Sequence, residues 1–85
     1  MTREKQALGE VMLKMLSQPR DPALRLQAGQ LFLQAGNAAE AVHWFESALH
    51  EDARHRPTHE ALRDYYRQAG RSDLAAIHER ALQAK

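Results

Sequence analysis

The chain has 85 residues, 44% of them hydrophobic, which is enough for one small domain and leaves no room for a second core. Twelve Lys and Arg against eleven Asp and Glu give a net charge of +1, so no bulk field draws the chain to nucleic acid or to an acidic membrane. With no cysteine, disulfides, thiolate zinc sites and thiol nucleophiles are all excluded.

Composition points to helix. Ala occurs fifteen times, Leu eleven and Gln seven, whereas Val, Ile and Thr together occur five times. Breakers at Pro19-Arg20-Asp21-Pro22, Gly36-Asn37, Pro57 and Gly70-Arg71-Ser72 divide the chain into five segments of about ten to sixteen residues, each readable as a helix. The opening Met1 to Gln6 is charged, and Lys14 interrupts the apolar run Val11-Met12-Leu13 and Met15-Leu16. That run suits neither a signal-peptide core nor a membrane span, so a cytoplasmic setting with no membrane contact is the expectation.

The first helix carries Leu8, Val11, Met12, Met15 and Leu16 as its apolar face. Asp21 is placed to cap the second, with Pro22 as its first residue, where a missing N–H does no harm. Along that helix Leu24, Ala28, Leu31, Phe32 and Ala35 form one stripe. Gly36 suits a left-handed helix end, and Asn37 followed by Glu40 has capping-box spacing for the third helix. There Ala41, Val42, Trp44, Phe45, Ala48 and Leu49 make a wider stripe, suited to a helix with neighbours on two sides. The fourth helix offers Leu62, Tyr65, Tyr66 and Ala69. Gly70 and Ser72 repeat the stop-and-cap arrangement before the fifth, with Leu74, Ile77, Ala81 and Leu82. Such short connections predict antiparallel helix hairpins.

A period runs through this pattern. Gln34-Ala35-Gly36 recurs as Gln68-Ala69-Gly70 at an offset of thirty-four. The same shift carries Ala28 to Leu62, Leu31 to Tyr65, Phe32 to Tyr66 and Ala7 to Ala41, and Ala48-Leu49 returns as Ala81-Leu82 at thirty-three. With Ala28-Gly29, Phe32 and Gly36 in one helix and Ala41, Phe45 and Ala48-Leu49 in the next, the chain resembles the tetratricopeptide repeat family of paired antiparallel helices. The later copy keeps Leu62, Tyr66, Gly70 and Ala81-Leu82, while Ala7, Val11 and Pro19 look like the second helix of a preceding repeat. Arg25 stands where that family often has tryptophan, Arg63 where it has a small residue, and Pro57 falls four residues after Ala53.

The expected fold is therefore all-α, a right-handed superhelix of about five antiparallel helices forming two and a half repeats in one domain, 1–85. Its parts are a half repeat at 1–19 and repeats at 21–53 and 56–84. Small side chains at Gly29, Ala41 and Ala48 let two helices approach closely, with Phe32 and Phe45 filling the space between them.

The resemblance implies a non-catalytic protein-interaction scaffold, with a peptide or protein segment held on the first helix of each repeat. Leu26, Gln30 and Leu33 are expected on the side of the second helix away from its stripe, and the offset sets Glu60, Asp64 and Arg67 at the matching places. Leu26 and Leu33 then either floor a groove or pack on an adjacent helix. The Lys/Asn set with which some relatives clamp a C-terminal carboxylate is missing. The alternative is homo-oligomerisation through the last helix, whose Leu74, Ile77 and Leu82 have no capping helix after them.

No cofactor and no metal are expected. His55 and His59 are separated by Pro57, which puts His55 in a loop, and His43 and His50 are about 10 Å apart along one helix. Trp44 beside His43 reads as packing. Arg54, Arg56, Arg63, Arg67 and Arg71 crowd one stretch, but Glu60 and Asp64 sit among them at helix-neighbour spacing, so nucleic acid is not an expected partner. Glu40, Glu46, Glu51 and Asp52 make the third helix acidic, which sets it to attract the arginine-bearing fourth. No nucleophile, phosphate loop or HExxH pattern suggests an enzyme.

Overall fold

Among the described residues of the computed structural model five helices follow in chain order: α1 (Arg3–Ser17), α2 (Pro22–Gln34), α3 (Ala38–Glu51), α4 (Arg56–Gln68) and α5 (Ser72–Gln83). The structure describes the backbone of residues 3–84 and the side chains of residues 6–84; Met1, Thr2 and Lys85, which the domain limits include, lie outside the described residues. Among the described residues there is no strand, and the fold class is all-α.

Local chemistry sets the boundaries. Asp21 has extended backbone and accepts the Ala23 N–H at 2.9 Å, while Pro22 opens α2 with its φ already helical. Gly36 follows α2 at φ +84°, in the left-handed region that only glycine enters freely. Its N–H donates to the Leu33 carbonyl and that of Asn37 to the Phe32 carbonyl, the paired bonds of a Schellman stop. Asn37 then accepts the Glu40 N–H at 3.2 Å and starts α3.

The period of thirty-four is built into the backbone. Helices α2 and α4 have 13 residues each, and their first and last residues lie one period apart. Ala35 and Ala69 end them with φ −80° in both and ψ of 0° and −1°. Gly70 sits at φ +76°, its N–H donates to the Arg67 carbonyl, and the Arg71 N–H donates to that of Tyr66. Every donor and acceptor is its α2 counterpart shifted by one period. The same correspondence corrects the expected cap of α5. Position 71, not Ser72, is the equivalent of Asn37, so Arg71 holds the N-cap place with no side-chain cap bond, and Ser72 is the first helical residue.

Both hairpins run antiparallel. Near the start of α2, Arg25 reaches Ser47 and Glu51 near the end of α3, and Arg56 at the start of α4 donates to the Leu82 carbonyl near the end of α5 at 2.7 Å. The centre belongs to α2, α3 and α4, which all touch one another. Leu26, Ala41, Phe45 and Leu62 form its buried cluster, edged by Phe32, Leu33, Val42, Leu49, Ala61 and Tyr66. Phe45 is fully buried, and removing such a side chain from water contributes about 2–3 kcal/mol. Close approach of α2 to α3 depends on Gly29. A Cβ there would lie 2.6 Å from Phe45 Cδ1 and 3.0 Å from the Ala41 carbonyl oxygen.

A second cluster joins α1 to the rest: Val11, Leu24 and Ala28, with Leu8, Met12, Met15, Leu31 and Trp44 against them. Trp44 thus faces one cluster while Phe45 fills the other, as a helix with two sets of neighbours requires. Leu16 does not join its expected face. It is 80% exposed, because α1 packs on α2 along a single strip that ends at Met15.

Candidate functional site

Arg25 is the most heavily engaged polar side chain at the α2–α3 junction. Its guanidinium donates to the Pro19 carbonyl at 2.7 Å and to the Ser47 hydroxyl, and lies 3.7 Å from a Glu51 carboxylate oxygen. One planar cation therefore ties the α1–α2 connection to the last turns of α3. This is a structural role, and it accounts for an arginine on an otherwise apolar side of α2.

Of the six residues expected to form a groove, Leu26 and Leu33 are packed inward and Gln30, Glu60, Asp64 and Arg67 are exposed. Leu26 is 8% exposed and lies in the central cluster, and Leu33 is half-buried at the edge of that cluster. Of the two expectations for Leu26 and Leu33, packing on an adjacent helix is the one seen, because α2 meets α4 as well as α1 and α3 and needs apolar residues on three sides. Leu26 and Leu33 close the seam with α4. Gln30, between Leu26 and Leu33 on the helix, is exposed and borders α1. There an open groove of about 320 Å³ runs between α1 and α2, lined by Glu10, Val11 and Lys14 on one wall and by Gln27, Gln30, Leu31 and Gln34 on the other. Spacings of three and four put the three glutamines on one helix edge, where each carboxamide offers both a donor and an acceptor.

Glu60, Asp64 and Arg67 are exposed along α4. Arg67 is ion-paired with Glu79 of α5, and Asp64 accepts from Arg63 at 2.9 Å. The arginine-rich stretch is similarly engaged: Arg56 holds the Leu82 carbonyl and Arg71 lies 3.4 Å from Asp73. Hydrogen bonding from the Arg71 side chain, then from the Leu74 N–H, holds the Asp73 carboxyl below its usual range. Among the described residues no ion pair joins α3 to α4. The pairs between helices run from α2 to α3 and from α4 to α5, along the hairpins and not between them.

No family model, curated protein or solved structure matches this chain.

At the end of the stack, Ile77 is 51% exposed, and Leu74 and Leu82 of the same helix are half-buried. At the other end, Leu13 and Leu16 of α1 stand in solvent. Both terminal helices therefore present apolar side chains outward.

The histidines group in a way that sequence spacing did not reveal. His55 occupies the N-cap position of α4 without a side-chain bond to the helix N–H groups, and its Nδ1 lies 2.7 Å from the Thr58 hydroxyl oxygen. His43 meets Trp44 edge to face at 6.1 Å. His59, in contrast, is buried on α4 and faces His78 of α5, with the two Nδ1 atoms 2.9 Å apart. Its other ring nitrogen lies 2.8 Å from the Ala53 carbonyl. Tyr66 stacks on His78 at 5.9 Å between ring centres. No spacing marks the pair, since residue 59 lies eleven before Gly70 and residue 78 eight after it. Among the described residues, no three His, Cys, Asp or Glu side chains are grouped to hold a metal ion.

Proposed function

We propose that this chain is a tetratricopeptide-like repeat module that binds a peptide or protein segment and performs no catalysis. The observation that carries the reading is the groove between α1 and α2. The carboxamides of Gln27, Gln30 and Gln34 can both donate to and accept from the backbone of an extended segment, and Leu31 and Val11 supply an apolar floor. The opposing Glu10 and Lys14 would favour a segment with both charges. This relocates the expected binding surface from the α2–α4 seam to the α1–α2 side, with Gln30 the residue shared by both. The repeat itself supports the reading, since stacked hairpins form extended surfaces that suit chain-like ligands.

The test is selection of peptides from a random library on the folded domain, followed by mapping of the bound peptide through amide chemical shifts. Shifts concentrated at residues 10–14 and 27–34, and lost in a Gln27→Ala, Gln30→Ala, Gln34→Ala variant that melts like the parent, bear the proposal out. Binding that maps elsewhere, or a library that yields no binder, refutes it.

A second reading, assembly of copies through the terminal helices, is favoured by the outward Ile77 at one end and the outward Leu13 and Leu16 at the other. Light scattering over a hundredfold range of concentration decides it. A constant monomer mass ends the idea, and a rise that Ile77→Glu abolishes supports it.

A further inference from the structure

His59 and His78 meet with little freedom in how their protons are arranged. The Ala53 carbonyl can only accept, so the nitrogen of His59 beside it is the one that carries the proton. In a neutral ring that leaves the His59 Nδ1 as a lone pair, and the His78 Nδ1 facing it at 2.9 Å must be the donor. A single N–H···N bond thus joins α4 to α5, and through Ala53 the α3–α4 connection is held as well. One added proton can be taken up on the far nitrogen of His78 with this bond intact, but it puts a charge in a half-buried site and so already weakens the folded hairpin. A second cannot, since both facing nitrogens would then carry hydrogen and both rings a positive charge at a centre-to-centre distance of 5.2 Å.

Little else secures α5. It packs on α4 alone among the helices, its single buried residue is Ala75, and its N-cap lacks a side-chain bond. The remaining polar ties across the hairpin are the exposed pair Arg67–Glu79 and the Arg56 bond to the Leu82 carbonyl. We propose that the His59–His78 pair is a proton-operated latch, closed at neutral pH and opened on acidification, which releases α5 from α4 while the α2–α3 hairpin stays folded.

Charged and titratable groups face the pair from each side. From α4, His59 opposes a charge on His78, and Tyr66 stacks on the ring as a phenol that burial keeps un-ionised. From α3, Glu46 favours the charge, and α2 faces α4 with Leu26 and Leu33. Burial is the largest influence and His59 the next, so His78 lies below the ordinary imidazole value of 6.5. The unfolded helix therefore takes up the proton first as pH falls. Full stability holds above about pH 6.5 and is lost progressively below it, down to the folded value.

The experiment is amide hydrogen exchange on the wild-type chain at about pH 7 and about pH 5, with thermal melts of wild type and His78→Gln over the same range. After correction for the intrinsic rates, protection of the α5 amides is expected to fall several-fold more than that of α2 and α3. The His78→Gln melting temperature is expected to vary less with pH than the wild-type value. Loss of protection in α5 no greater than in α2 and α3, or a His78→Gln profile parallel to the wild type, overturns the latch. Should His78→Gln fail to fold, the wild-type exchange comparison decides alone.

Discussion

Gly29→Ala puts the helix–helix contact at the centre of the fold to a sharp test. In an open helix the change would stabilise by about 1 kcal/mol, because alanine is the better helix former. Here the added methyl falls 2.6 Å from Phe45 Cδ1 and 3.0 Å from the Ala41 carbonyl oxygen. The ring cannot swing out, since Phe45 is fully buried, and the carbonyl belongs to the backbone of α3. Relief requires the two helices to part, and overpacking of this kind costs about 1–3 kcal/mol. With the clash at the upper part of that range, the net loss is about 1–2 kcal/mol, or a melting temperature lower by about 5–15 °C for a domain of this size. Circular dichroism melts at 222 nm measure it. Gly9→Ala is the control, because a methyl there meets nothing within 4 Å, and it should raise the melting temperature. A Gly29→Ala protein as stable as the parent would show that α2 and α3 do not pack at this separation, and the argument for the central cluster would fail with it.

Other substitutions follow from the same contacts. Leu62→Ala empties a fully buried position shared by the two hairpins and should destabilise by about 2–5 kcal/mol in denaturant titrations. Gly70→Ala has open space around it but must hold φ near +76°, so a loss of about 1–2 kcal/mol is expected from backbone conformation alone, with Gly70→Asn milder. Arg25→Lys should lose most of what Arg25→Ala loses, since one ammonium cannot serve Pro19, Ser47 and Glu51 together; paired melts compare the two. Burial, helped by the Glu46 and Tyr65 charges, raises the Tyr66 phenol above its ordinary value of 10.0. The unfolded chain therefore loses that proton first, stability falls as pH rises past about 10, and Tyr66→Phe should flatten the fall in alkaline melts.

The helices and their ends were legible because each boundary is a local matter. Asp21 before Pro22, and Gly36 before Asn37, need only their own neighbours to do what they do. The stripe of α3 was legible for a related reason: its alternation between Trp44 and Phe45 reports two sets of neighbours directly. Misreadings arose where the answer lay in which helix sits beside which. Leu26 looked surplus to a single stripe until α4 arrived on that side of α2, and Leu16 looked like core although α1 has one partner strip. Ser72 has the better capping side chain, but the turn geometry copied from Gly36 puts Arg71 in the cap position of α5. The His59–His78 contact bridges two helices at a separation that no helical period marks.

The matched turns at Gly36 and Gly70 make the stretch between them a cassette. Copying residues 36–69 in tandem would hand each new junction the same donors, acceptors and left-handed glycine that the parent junction has. Insertions or deletions of other lengths would force the following helix to leave its turn at the wrong azimuth. A chain lengthened by whole cassettes should gain cooperativity with each one, and a chain altered by a fraction of one should melt in pieces.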